Sequence, residues 1–144
     1  MTQDDILKFE PPVARLLGRE VVEVDTVNGG ATIRFTAKPE FSNRHGTVQG
    51  GLLAAMLDSA TALALYAVLP PQFTGVTVNL NVSFVRPAKI GAFTAVGKLL
   101  SRDHRYGETS AELHDAEGVV VATAVAKLRI VPRKDRSERE TQGR

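Results

Sequence analysis

The hydrophobic and polar positions of this chain keep two different rhythms. In the first half, Ala, Leu and Met dominate from Leu52 to Leu57 and again from Ala60 to Ala67. That composition favours helix, and its apolar positions are not confined to one stripe, so protein should wrap the helix on most sides. Turn-forming and polar residues lead into it from Asn43, through the Gly50-Gly51 pair, and Leu69-Pro70-Pro71 forbids its continuation. The stretch approaches the roughly 20 residues of a membrane span, but Asp58, Ser59 and Thr61 stand at its middle. It reads as the central buried helix of a soluble domain.

After the helix the period becomes two. Val76, Val78, Leu80, Val82 and Phe84 alternate with Thr77, Asn79, Asn81 and Ser83, predicting a strand with one apolar and one polar face. Arg86-Pro87 ends it. Further strands are expected over Ala92 to Leu100, Glu108 to Asp115 and Val119 to Val131, with a polar loop over Ser101 to Gly107 and a turn at Ala116-Glu117-Gly118. Ahead of the helix, Asp4 to Leu17 predicts a short helix interrupted by Pro11-Pro12. Arg19 to Val27 and Ala31 to Thr36 predict a hairpin around Asn28-Gly29-Gly30. Lys38 to Gly46 reads as loop. Together these make an α+β fold: one antiparallel sheet of five to six strands whose apolar face wraps one long helix.

Length and charge narrow the class. The 144 residues suit one domain, expected over residues 1–131. There is no cysteine, hence no disulfide framework, thiolate metal site or cysteine nucleophile. A pI near 9.2 suggests nucleic acid. Residues 132–144, however, carry five basic side chains (Arg133, Lys134, Arg136, Arg139, Arg144) against three acids (Asp135, Glu138, Glu140). That surplus of two equals the whole formal charge of +2, so the body is balanced and offers no nucleic-acid surface. The tail reads as disordered and solubilising. The acidic start, MTQDDILKFEPP, lacks a secretory pattern, which makes the cytoplasm the expected location. The three histidines, His45, His104 and His114, show no metal-ligand spacing. No metal and no cofactor are expected.

The candidate chemistry sits on the helix. Asp58 is a lone carboxylate in an apolar run, where it caps a break, pairs with a basic side chain from a strand, or serves a site as a catalytic or ligand-orienting group. Gly50 and Gly51 stand where loop becomes helix. First-turn N–H groups there lack intrahelical acceptors and can meet an anion or a developing oxyanion. Asp58 follows Gly50 by eight positions, about 12 Å along a helix, too far for both to act on one carbonyl. Two antiparallel helices across a twofold axis would bring each Asp58 to the other chain's Gly50, giving two equivalent sites per dimer.

The succession N-x-H-G-T-V-Q-G-G-L-L-A-A-M-L-D over Asn43–Asp58, then N-V-S-F-V-R-P-A over Asn81–Ala88, resembles the hotdog-fold acyl-CoA thioesterases. Within them it is nearest the PaaI-like group and its 4-hydroxybenzoyl-CoA thioesterase relatives. The resemblance covers about Leu16 to Val131. It implies a sheet-wrapped helix, homodimers often paired into tetramers, and hydrolysis of acyl-CoA to acid and free CoA. By position, Gly50 resembles the residue whose N–H polarises the thioester carbonyl, and Asp58 the nucleophile or general base. Asn43 falls where relatives place an Asn or Gln near the attacking water. Gln49 replaces a frequent histidine, and cannot titrate near neutral pH. Ala62 stands where relatives often carry Ser or Thr, with Thr61 beside it. His45 and Gly51 lie in the same loop-helix motif. CoA phosphates call for cations at the site mouth, and the candidates are Arg86, Lys89, Arg102 and Arg105. The acyl pocket is expected to be apolar, with Leu53, Ala54 and Leu57 contributing. A hotdog dehydratase and a non-catalytic acyl-CoA sensor or scaffold are the alternatives.

Overall fold

The structure, a computed structural model, describes residues 2–134. Two short helices, α1 (Gln3–Lys8) and α2 (Pro12–Leu16), precede the hairpin β1 (Glu20–Asp25) and β2 (Gly30–Ala37). A 3-10 turn, Pro39–Phe41, leads towards the long helix α3 (Gly50–Tyr66). Then come β3 (Phe73–Phe84), β4 (Gly91–Arg102), β5 (Tyr106–His114) and β6 (Val120–Pro132). The strands form one six-stranded sheet in the order β1-β2-β4-β5-β6-β3, every pairing antiparallel. β1 and β3 are therefore its edges.

The sheet wraps α3, which packs against β2, β3, β4, β5 and β6. Ile33, Phe35, Phe93, Ala95, Leu113 and Val121 from the strands meet Met56, Leu57 and Ala60 from the helix, all nearly or fully buried. Each large side chain so buried contributes about 1.5–3 kcal/mol. The helix comes close to the sheet because β4 presents Gly97, where an added Cβ would lie 2.5 Å from the Ala60 carbonyl oxygen. What the sheet leaves open is a stripe of mostly small residues: Gly51, Ala54, Ala55, Asp58, Ser59 and Ala62.

Several boundaries differ from those read in the sequence, each for a local reason. The first helix is two: Thr2 and Asp5 form a capping box at the start of α1, and Pro12 occupies the first turn of α2. The β1–β2 loop starts before Asn28, because the Asp25 carboxylate accepts from the Val27 and Asn28 N–H groups at 3.0 and 2.9 Å. Gly29 then takes the left-handed conformation, φ +87°. The α3 helix stops at Tyr66, short of the prolines. Its last carbonyls are met by the Gln3 side-chain amide, which donates to Tyr66 (3.2 Å), Leu69 (3.3 Å) and Ala67. The expected Ser101–Gly107 loop is only a tight turn, since the Asp103 carboxylate accepts from the Arg105 and Tyr106 N–H groups and lets β4 run to Arg102.

The largest departure is in β3. Its register slips between Thr77 and Asn79, where a bulge leaves Val78 unpaired with β6. Before the bulge Gly75 and Thr77 face α3; after it Leu80 and Val82 do. Val76 and Val78, expected on the buried face, are each 53% exposed. The expected tail also starts too early. Pro132 ends β6 and the Arg133 N–H donates to the Gln72 carbonyl at 2.7 Å, while residues 135–144 lie outside the described residues. No helix among the described residues is long and apolar enough to cross a membrane.

Candidate active site

The entry to α3 is built by Asn43. Its side-chain oxygen accepts from the His45 and Thr47 N–H groups at 2.9 and 3.2 Å, and its amide donates to the Thr47 hydroxyl at 3.0 Å. This Asx-type closure folds residues 43–47 into a compact loop. Val48 then donates to the Ala88 carbonyl and Gln49 to the Phe41 carbonyl, both at 2.8 Å, pinning the helix start between two loops. Gln49 is the N-cap, yet its side chain makes no capping bond. The N–H groups of Gly50 and Gly51 have no acceptor among the described residues. Gly50 is half-buried beside the Phe84 ring, which a Cβ there would approach to 3.2 Å. The helix thus begins with two free donors and their partial positive charge, the first of them beside an aromatic ring.

Asp58 lies two turns on, half-buried, on the stripe that the sheet leaves open. No basic side chain among the described residues forms an ion pair with it. Its carboxylate instead accepts from the Thr77 hydroxyl at 3.0 Å, from the position at which β3 bulges. Without the bulge that hydroxyl and the later apolar residues Leu80 and Val82 could not face the same side. A carboxylate fixed by one hydroxyl keeps a second oxygen for a water or an acyl carbon.

The remaining candidates fall into separate groups. His45 and Gln49 are exposed at the helix entry, and neither side chain has a hydrogen-bond partner among the described residues. Arg86 and Lys89 are exposed on the β3–β4 loop, which joins the helix entry through Ala88. Arg102 is exposed at the opposite end, beside Leu69, Pro70 and Phe73, where α3 finishes, and Arg105 is exposed on the same β4–β5 turn. The length of α3, about 25 Å, separates the two cationic pairs within one chain. Thr61 is fully buried, and its hydroxyl donates to the Leu57 and Asp58 carbonyls at 2.9 and 3.0 Å. Leu53 and Leu57 are likewise core residues, whereas Ala54 borders the open stripe. The His114 ring meets Glu112 at 3.2 Å and the Gly118 carbonyl at 3.3 Å. No group of side chains among the described residues could hold a metal ion.

Two residues of this neighbourhood escaped sequence reasoning. Thr77 was assigned to the outward polar face of a regular strand, and only the bulge turns it inward. Phe84 looked like an ordinary member of the apolar face; its place in S-F-V-R-P, just before the loop that pins the helix entry, was the available signal.

Comparison with known proteins agrees with this architecture. The Thioesterase superfamily model matches residues 45–122. Human acyl-coenzyme A thioesterase 13 is 28% identical over 110 residues, covering 75% of this chain and 77% of the relative. A phenylacetic acid degradation-related protein from Ralstonia eutropha JMP134 superposes with a TM-score of 0.82 at 36% identity, covering 90% of this chain and 99% of that one. The E. coli PaaI protein from the phenylacetic acid degradation operon shares the fold, with a TM-score of 0.80 at 22% identity and coverage of 90% and 91%.

Proposed function

The chain belongs to the thioesterase superfamily and has its hotdog fold, and from that membership we propose that it hydrolyses an aromatic or medium-chain acyl-CoA at sites shared by two copies. The observation that carries this reading is the pairing of opposites on α3. A half-buried carboxylate, Asp58, is held by Thr77, and two N–H donors without acceptors begin the same helix at Gly50 and Gly51. They stand about 12 Å apart along the axis, so one chain does not present both to one thioester.

A second copy supplies the missing half. β3 is an edge strand with Val76 and Val78 exposed, and such an edge readily takes another strand. Small residues along the open stripe allow a second α3 to approach in the antiparallel sense. The thioester carbonyl oxygen then rests on the Gly50 N–H of one protomer while Asp58 of its partner faces the carbonyl carbon. Asp58 either adds to that carbon, expelling CoA thiolate and leaving a mixed anhydride for water to open, or takes a proton from a water that adds directly. Both routes pass through an oxyanion, which the helix N-terminus stabilises. Asn43 shapes the loop next to that donor and Gln49 offers an amide at its edge. Arg86 and Lys89 meet the CoA phosphates at this mouth, and Arg102 and Arg105 of the opposing chain approach the same region in an antiparallel pair.

The test is thiol release from a panel of aryl and aliphatic acyl-CoA esters. Asp58→Asn, which preserves size and removes charge, is expected to cut turnover on the order of a hundredfold or more. Unchanged turnover in that variant would refute the assignment of Asp58.

A further inference from the structure

Towards the C-terminus of α3 lies a cavity of about 160 Å³, close to the volume of about 150 Å³ known to hold a benzene molecule. Ile6 and Phe9 from the N-terminal segment roof it, Leu63 and Tyr66 from α3 line its floor, and Arg19 and Arg133 close its sides. It adjoins the candidate site on both flanks. Arg19 reaches the hydroxyl of Ser59, the residue after Asp58, at 3.4 Å. Thr74, three positions before Thr77 on β3, lines the cavity wall. Leu63 is five residues past Asp58, about 7.5 Å along the helix, the reach of a short acyl group.

Among the described residues no acid lines this cavity. Arg19 is half-buried and donates to the Phe9 carbonyl at 2.6 Å and to Ser59, but makes no ion pair among the described residues. Burial holds its guanidinium below the usual arginine range, against the opposing field of Glu10. A guanidinium has five N–H donors, so the fork retains capacity for an oxygen ligand. Arg133, which also lines the wall, donates to the Pro71 and Phe73 carbonyls at 3.2 and 3.3 Å. A partly desolvated cation beside an apolar, ring-sized space matches a compact apolar body that ends in a carboxylate.

We propose that this cavity is a carboxylate-recognising subsite, with Arg19 holding the anion and Phe9, Leu63 and Tyr66 holding a body of about six heavy atoms. This rests on the thioesterase reading for its place in catalysis, though not for its existence. Two sources carry the same chemistry: the distal carboxylate of a dicarboxylic mono-CoA ester, or a free carboxylic acid of the same size.

The experiment compares adipyl-CoA with hexanoyl-CoA on wild type and Arg19→Met, alongside calorimetric binding of free adipate and hexanoate. If the ester is the source, wild type prefers adipyl-CoA by about tenfold or more in kcat/KM, as one charged hydrogen bond allows, and the ratio falls towards one in the variant. If the free acid is the source, wild type shows no ester preference, yet a free acid binds saturably to it and not to Arg19→Met. If Arg19 is purely structural, the ester preference or the acid binding of wild type persists in Arg19→Met, which overturns the proposal, as does the absence of both preference and acid binding in wild type. Should neither ester be hydrolysed, calorimetry alone decides the subsite, and the panel of aryl and aliphatic esters decides the thioesterase reading. Should Arg19→Met not fold, Arg19→Lys keeps the charge without the fork and must reduce the same ratio or acid affinity severalfold.

Discussion

Thr77 gives the Asp58 carboxylate its only hydrogen bond among the described residues, and that contact has a measurable weight. A hydrogen bond to a charged group is worth about 1.5–3 kcal/mol, so Thr77→Val should lower kcat about tenfold while far-UV circular dichroism stays that of wild type. Full activity in that variant would mean that the carboxylate is positioned without it. Asp58 and Gly50 stood out in the sequence because each breaks its surroundings, a charge within an apolar run and a glycine pair at a helix entry. Thr77 did not, because the alternation around it is unbroken. A bulge changes which face a residue takes without changing any residue type, and the composition of β3 carries no trace of it.

At the scale of elements, contacts between backbones decide more than side-chain pattern does. Gly97 lets β4 lie against α3, and the atom that a methyl group would strike, the Ala60 carbonyl oxygen, belongs to the helix backbone and cannot rotate away. Gly97→Ala should therefore destabilise the fold by about 3 kcal/mol, read from the urea midpoint. Turns obey a different control. The Asp25 carboxyl is held below the usual range by the backbone N–H groups of Asn28 and Val27, and Asp103 by those of Tyr106 and Arg105. A carboxylate depressed in the folded state stabilises fully above its unfolded value of about 4 and loses that contribution as pH falls through the folded value. Acid titration of stability should thus steepen below about pH 4, and Asp25→Asn should flatten part of that limb. The helix and all six strands were legible in the sequence, the helix from its Ala-, Leu- and Met-rich composition and β3 most plainly from its twofold alternation. Their ends were less so, because a side chain such as Gln3, Asp25 or Asp103 sets them from outside the periodic stretch.

For the molecule as a whole, the sheet edge at β3 and the open stripe of α3 lie on one side, and the proposed sites need both. Val78→Lys puts a charge on that edge at a position already exposed and unpaired with β6. It should leave the protomer folded, shift gel filtration to the monomer and abolish thiol release. A monomeric variant with full turnover would require a site complete within one chain. The far end of α3 carries a consequence of another kind, for the order of events during synthesis. Gln3 leaves the ribosome 64 residues ahead of Ala67, one of the carbonyls that it closes. The segment roofing the cavity must therefore wait, undocked, until the central helix has been made, and β6, which covers that helix and pairs with β3, comes later still. A nascent chain in this interval exposes Leu63 and Tyr66 to whatever else is present. Docking of α1 should then be a late step, with pulse-labelled hydrogen exchange protecting the middle of α3 before its last turn.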